Sequence, residues 1–354
     1  MNIDKFFTDF KRDIQEIREF RRKTMRARKK YKMRFNPLNM PDDTFRQYYR
    51  FTKQNMLKIV DLLRNDLEVD LRGGGVPVEL QVMAVIRYWA RHGIQENCAD
   101  VHGISQQTLS RLAQKVSIAL CCKSSQYIKM PENSTEESTI MHQFEEISGM
   151  KNITGVLDCT HIKIQKISDN NGQSFINSQG QYSINTQIIC DANLRIRDIV
   201  CRWRGSTDDA KIYNESSIKR RFEENEFVGK LIGDCAYPCT SHLLTPVLRP
   251  ITEAEERYNQ SFFETHNVVQ QCMSVWKERF RILQDVIRGS LNTAKTTVVA
   301  CAVLHNIAMQ LNEPILEDTG IMKSETAMVE EPNLFVDDGN EIHRNQYIEE
   351  YFNT

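Results

Sequence analysis

No stretch of the chain approaches the roughly 18–20 consecutive apolar residues of a membrane-spanning helix, and the N-terminus lacks the apolar core of a secretory leader. Ten cysteines are present, at positions 98, 121, 122, 159, 190, 201, 235, 239, 272 and 301, yet none form the CxxC pairs of a zinc ribbon. Repeats and low-complexity tracts are missing as well. What is left is a globular composition: 354 residues, 40% hydrophobic and 26% charged, enough for one large domain or two ordinary ones. Several cysteines fall within strand or helix patterns, where a thiol behaves as a small hydrophobe. That usage predicts a soluble protein of a reducing compartment, cytosol or nucleus.

The formal net charge of −1 hides a strong segregation. Residues 18–34, "REFRRKTMRARKKYKMR", carry ten Lys or Arg against one Glu, whereas residues 313–354 carry eleven acids against Lys323 and Arg344. A basic run of this density suits nuclear import or contacts with nucleic-acid phosphates; the plainer alternative is a solvated face. The nucleus is therefore the expected location, with the cytoplasm as a second one. The acidic tail reads as flexible, and would screen the basic arm or meet a partner.

The apolar pattern divides the chain into a basic arm (1–43), a helical region (44–130), a mixed region (150–312) and the acidic tail (313–354). In "QNMLKIVDLL", Met56, Ile59, Val60 and Leu63 share one helical face, and "VELQVMAVIRYWARHG" repeats that spacing before stopping at Gly93. "CADVHGISQQTLSRLAQKVSIAL" predicts a short helix ending near His102 and Gly103, an N-cap at Ser105 and a second helix from Gln106 to about Leu120. This is the pattern of a helix-turn-helix. An αα-corner has the same pattern, and Arg111 and Lys115 make the second helix only mildly basic. From 153 to 235 the period changes to that of strands, with a hairpin expected at "DANLR" around Asp191 and Asn193. A helical stretch separates the third and fourth strands, and two long helices follow residue 255. Three strands in a meander, a crossover helix, a fourth strand and then helices predict an α/β sheet.

Two acids interrupt this pattern. Asp158 stands inside the apolar run of "GVLDCTHIKI", and Asp234 closes that of "KLIGDCAYP". A carboxylate costs too much to desolvate alone. Acids converging from strand ends bind hard divalent cations through oxygen, and bound ions can activate water and stabilise the oxygens of a phosphodiester. Such chemistry needs at least three ligating carboxylates, and "RWRGSTDDAKIY" offers Asp209 at a loop-to-helix junction, with Asp208 beside it. Turn capping by Asp158 and Asp234, and helix capping by Asp209, are the competing explanations. His161, His242, His266 and His305 read as packing or hydrogen-bonding residues. His161 lies three residues past Asp158, on the opposite face of a regular strand.

In order along residues 44–312, the chain also carries "GVLDCTHIKI", "GQYSINTQIICD", "WRGSTDDAKIY", "LIGDCAYPCTSHLLTP", "AEERYNQSFFETHNVV", "WKERFRIL" and "CAVLHNIAM". With these motifs it resembles the PIF/Harbinger transposases and the nucleases derived from them. The resemblance implies an RNase H-like DDE catalytic domain behind the helix-turn-helix-like region. It implies Mg²⁺ or Mn²⁺ as cofactor, DNA as partner and substrate, and no small-molecule cofactor. It further implies a nuclear role alongside a Myb-like DNA-binding partner protein. By position it assigns Asp158, Asp209 and Asp234 as metal-binding and catalytic acids. The helix Glu of the family falls on Gln270, an amide, and Phe262 stands where the family often has His. Glu264 and Glu278 are about two helical turns from position 270. The expected function is divalent-metal-dependent hydrolysis of DNA; the alternative is a domesticated, catalytically silent DNA- or chromatin-binding protein.

Overall fold

A run of β-branched residues from Ile153 onward feeds the central sheet of the computed structural model, which describes residues 12, 14–19, 33–68, 74–91, 95–167, 172–314 and 341–353. Most of the basic arm and residues 315–340 of the acidic tail lie outside these. The strands are β1 (Ile153–Lys163), β2 (Ser183–Cys190), β3 (Ile196–Arg204), β4 (Lys230–Ile232) and β5 (Leu243–Leu244). Their spatial order is β3-β2-β1-β4-β5. The first three form the expected antiparallel meander, whereas β4 and β5 run parallel to β1. At the hairpin, buried Asp191 accepts hydrogen bonds from the backbone amides of Asn193 and Arg195. Its other oxygen pairs with Arg197 at 2.7 Å, so this buried acid is satisfied within its own turn. The crossover is two helices, Asp209–Asn214 and Ser217–Glu223, broken where Ser216 caps the second. The two-residue strand β5 is too short to leave a periodic signal.

Helix Lys53–Leu67 buries Met56, Ile59, Val60 and Leu63 as the spacing predicts, with Thr52 as its N-cap. Helix Val78–Ala90 ends three residues before Gly93. Gln95–Val101 then turns through Gly103, whose φ of +64° suits glycine. A Cβ there would lie 2.3 Å from the Met33 carbonyl oxygen. Helix Gln106–Cys121 follows, capped by Ser105, and buries Leu109, Leu112, Val116 and Leu120. Helices therefore flank a turn as expected, and the second of them is packed into the interior. Its Ser117 hydroxyl reaches Thr296 Oγ1 at 3.2 Å, on helix Leu291–Gln310.

The expected boundary between 130 and 150 is not a break in packing. Helix Ser134–Ser148 fills it, and its buried Glu137 accepts hydrogen bonds from Thr154 Oγ1 and the amides of Val228 and Gly229, all at 3.0 Å. The helical region and the sheet share one apolar core. The expectation of a flexible tail also fails for its last part. Glu341–Phe352 is a helix with Tyr347, Ile348 and Phe352 buried. The Arg344 guanidinium donates to the Pro246 carbonyl at 2.9 Å, and Tyr347 donates its hydroxyl proton to the Lys151 carbonyl at 2.7 Å. Burial of aromatic area outweighs the acidic composition there.

Candidate active site

Asp158 is the sixth of eleven residues in β1, so it stands inside the strand rather than at its end. What ends there is the neighbour. Strand β4 places Ile232 beside Val156 and stops, so Asp234, two residues on, leaves the sheet beside Asp158. The Asp234 side chain accepts the Ala236 amide at 3.1 Å, an Asx-type turn that fixes the carboxylate over the end of β4.

Asp209 arrives from the other side. It is the first residue of its helix; the N-cap position belongs to Asp208, which makes no side-chain cap bond. Asp209 Oδ1 accepts from Asn185 Nδ2 at 2.6 Å. Asn185 lies opposite His161, whereas Asp158 lies opposite Ile188. Cross-strand partners share a face and alternate residues switch it. Asn185 and Asp158 thus project to opposite faces, and Asp209 meets β1 on the side of Cys159. The Tyr237 hydroxyl donates to the Cys159 sulfur there at 3.2 Å.

The long helix Glu253–Arg279, started by a Thr252–Glu255 capping box, covers the Asp158 face. Gln270, exposed on it, donates its amide N–H to Asp158 Oδ2 at 2.5 Å. The other Asp158 oxygen accepts the Cys159 amide at 2.6 Å. Two turns beyond Gln270, half-buried Lys277 donates to Thr160 Oγ1 at 2.5 Å. Thr160 is two residues past Asp158 and shares its face, so helix and strand are joined by two parallel rungs. Lys277 was not singled out in the sequence; its seven-residue spacing from Gln270 was the available signal. Glu278 is paired with Arg281 and Glu264 accepts from Gln260, so neither acid stands in for position 270. Of the histidines, His161 bonds Ser183 at 3.1 Å and buried His305 bonds the Leu194 carbonyl at 2.7 Å.

Burial raises the Asp158 carboxyl well above its ordinary range, and the neighbouring Asp234 and then Asp209 raise it further; the Cys159 amide and Lys277 oppose them. Burial, followed by the charge of Asp209, lifts Asp234 to about 6 despite the Ala236 amide. Burial pulls Lys277 down to about 8, against the attraction of Asp158. Among the described residues, no group of three or more His, Cys, Asp or Glu is arranged to hold a metal ion. The donor chemistry nevertheless fits a hard divalent cation. Asp158 and Asp234 are neighbouring carboxylates whose values burial raises first, and the charge of Asp234 raises Asp158 further.

A pH dependence follows. With its folded value raised, the Asp234 carboxyl stabilises the metal-free fold fully below about pH 4, and that contribution is lost as pH rises through about 6. A cation taken up by the ionised pair acts in the opposite sense. The increase in Tm caused by millimolar Mn²⁺ should grow between about pH 5 and 7. The same pH-dependent increase in an Asp158→Asn, Asp234→Asn variant would rule this out.

Residues 157–306 match the family described as DDE superfamily endonuclease. Over 283 residues the chain is 30% identical to the human protein named "Putative nuclease HARBI1", covering 78% of this chain and 80% of that protein. The Xenopus laevis protein of the same name is 30% identical over 292 residues, covering 81% and 84%. The Arabidopsis thaliana "Protein ALP1-like" is 22% identical over 299 residues, covering 78% and 73%. No solved structure matches the chain. Similarity over four-fifths of the nuclease-named relatives, with an endonuclease-family match running from within β1 to within helix Leu291–Gln310, makes this chain a member of the Harbinger transposase-derived, nuclease-like family that carries a DDE superfamily domain.

Proposed function

We propose that the chain is a nuclear, divalent-metal-dependent nuclease that hydrolyses DNA phosphodiester bonds, weakened by the amide at position 270. The observation that carries this reading is the placement of Asp234 beside Asp158 at the end of β4, under the exposed Gln270. The meander continued by two parallel strands suits an RNase H-like domain. Asp158 and Asp234 would hold Mg²⁺ or Mn²⁺, with Gln270 able to turn its carbonyl oxygen inward and Asp209 acting as an accessory acid. When bound, the ion would polarise a phosphoryl oxygen and lower the pKa of water. The chain's own residues orient the site. The Cys159 amide fixes the Asp158 carboxylate, the Asp234 turn fixes its neighbour, and the exposed helix face admits a DNA backbone. The basic run at 18–34 suits phosphate contacts and nuclear import, and a Myb-like protein is the expected partner.

A second reading is a silent DNA- or chromatin-binding protein. The Gln270–Asp158 hydrogen bond favours it, because it occupies the oxygen that would face an ion. Mn²⁺-dependent cleavage of duplex DNA by the full chain, lost in the Asp158→Asn, Asp234→Asn variant, is the result expected of the nuclease. DNA binding with equal, negligible cleavage by both proteins would overturn the nuclease in favour of the second reading.

A further inference from the structure

The helix-turn-helix-like element takes no part in the site described above, yet it borders a cleft of about 470 Å³. The cleft lies between the end of helix Val78–Ala90, the start of helix Gln106–Cys121 and the loop that precedes helix Leu291–Gln310. Gln106, Ser110 and Ala113, at i, i+4 and i+7, give it one wall from a single helix face. The loop wall hangs on β1. Ile164 bridges Ile287, whose amide donates to the Lys163 carbonyl at 2.9 Å, and Gln165 Nε2 donates to the Gly289 carbonyl at 2.8 Å. From Asp158, in the groove between β1 and helix Glu253–Arg279, this bridge is six residues further along the strand. That is roughly 20 Å at about 3.3 Å per residue.

The cleft is rich in donors. Exposed Arg91 and Arg288 supply two guanidiniums, whereas Asp285, the acid among the described lining residues, already has a partner. The Arg91 guanidinium stacks over the Tyr48 ring at 4.6 Å, a contact that uses its face rather than its N–H edge. Trp89 is buried and lines the cleft, and its Nε1–H has no hydrogen-bond partner among the described residues. A buried indole N–H usually finds an acceptor, because its desolvation is otherwise uncompensated. Beside these donors, Tyr88 and exposed Val286 offer an apolar face.

We propose that this cleft binds one nucleotide of an unpaired DNA strand that runs from the Asp158 groove along β1, with Arg91 and Arg288 on its phosphate and its base against Tyr88 and Val286. This rests on the reading of DNA as substrate. The volume suits a ligand of that size and not the breadth of a duplex. Stacking on an aromatic face accepts any base, which is how single strands are held without sequence preference. An oxygen of the nucleotide would give the Trp89 indole its acceptor.

Binding of a short labelled oligothymidylate to the full chain, followed by fluorescence anisotropy in EDTA, tests the assignment without cleavage or metal. A fully paired hairpin is the comparison. Arg288→Ala should weaken the oligothymidylate about tenfold, the loss of one charge-assisted contact, and leave the hairpin within about twofold. The slope of its log affinity against log salt should fall by about 0.7, whereas Arg288→Lys should keep the slope. Val286→Glu, on the exposed rim, should weaken the oligothymidylate at least as much. Unchanged oligothymidylate affinity in both Arg288→Ala and Val286→Glu would overturn the cleft while leaving the nuclease, which is tested by cleavage, intact. Equal weakening of the hairpin would also overturn it. No binding of either DNA by the parent chain would remove the reading of DNA as substrate and this inference together.

Discussion

Gln270→Glu is expected to raise Mn²⁺-dependent cleavage of duplex DNA at least about tenfold, equivalent to roughly 1.4 kcal/mol of transition-state stabilisation. The substitution is nearly isosteric and helix propensity barely changes. What changes is the contact with Asp158, now an amide donating to a carboxylate at 2.5 Å. Two carboxylates in that place repel each other; at about 4 Å and an effective dielectric near 20 the interaction is on the order of 4 kcal/mol. The metal-free variant should therefore melt lower than the parent, and Mn²⁺ should restore more than the difference. Adding Asp158→Asn should abolish the gain. Cleavage by the parent that Gln270→Glu leaves unchanged would mean that another acid serves the site. If the variant and the parent are both inactive, the second reading gains.

Glu313→Ala should destabilise the whole chain by about 2–4 kcal/mol. One buried oxygen of Glu313 accepts from the Thr52 amide at 2.8 Å, the Thr52 hydroxyl at 2.8 Å and the Asn55 side chain at 2.7 Å. Its removal strips these donors at the start of helix Lys53–Leu67. It also removes the charge facing Arg279, a buried guanidinium that burial pulls down to about 10 and Glu313 holds up. Arg279 itself donates to the Arg50 and Glu313 carbonyls at 3.0 and 3.3 Å. The measurement is urea denaturation at constant slope. A loss below about 0.5 kcal/mol, the range of ordinary surface changes, would show that water replaces these contacts freely.

The strands that flank Asp158 and the hairpin at Asp191 were legible because β-branched alternation and turn residues are local signals. So were the helix faces of Met56–Leu63 and the cap at Ser105. The approach of Asp234 to Asp158 could be anticipated from two acids at the ends of apolar runs; the parallel pairing of Val156 with Ile232 could not. Asp209 needs the fold as well as the residue type. Its sequence position suggests a third ligand, and only the pairing of β1 with β2 shows that Asn185 is the residue that holds its carboxylate. Lys277 went unnoticed because a lysine on an amphipathic helix is usually solvated, and only tertiary packing brings it to Thr160. The docked helix Glu341–Phe352 was hidden by averaging: the eleven acids of residues 313–354 mask the spacing of Tyr347, Ile348, Tyr351 and Phe352.

That docked helix sets where a reporter can be attached. Tyr347 fastens it to Lys151, before β1 begins, and the Arg257 guanidinium holds the Phe352 carbonyl at 2.6 Å. At about 3.3 Å per strand residue, the anchor lies roughly 20 Å from Asp158. A fluorophore joined by a short tether behind Asn353 would therefore sit away from the groove while staying on the folded body. Energy transfer from such a dye to one on a DNA end would report the distance of a bound duplex from a fixed origin, and the direction in which the duplex leaves the carboxylates.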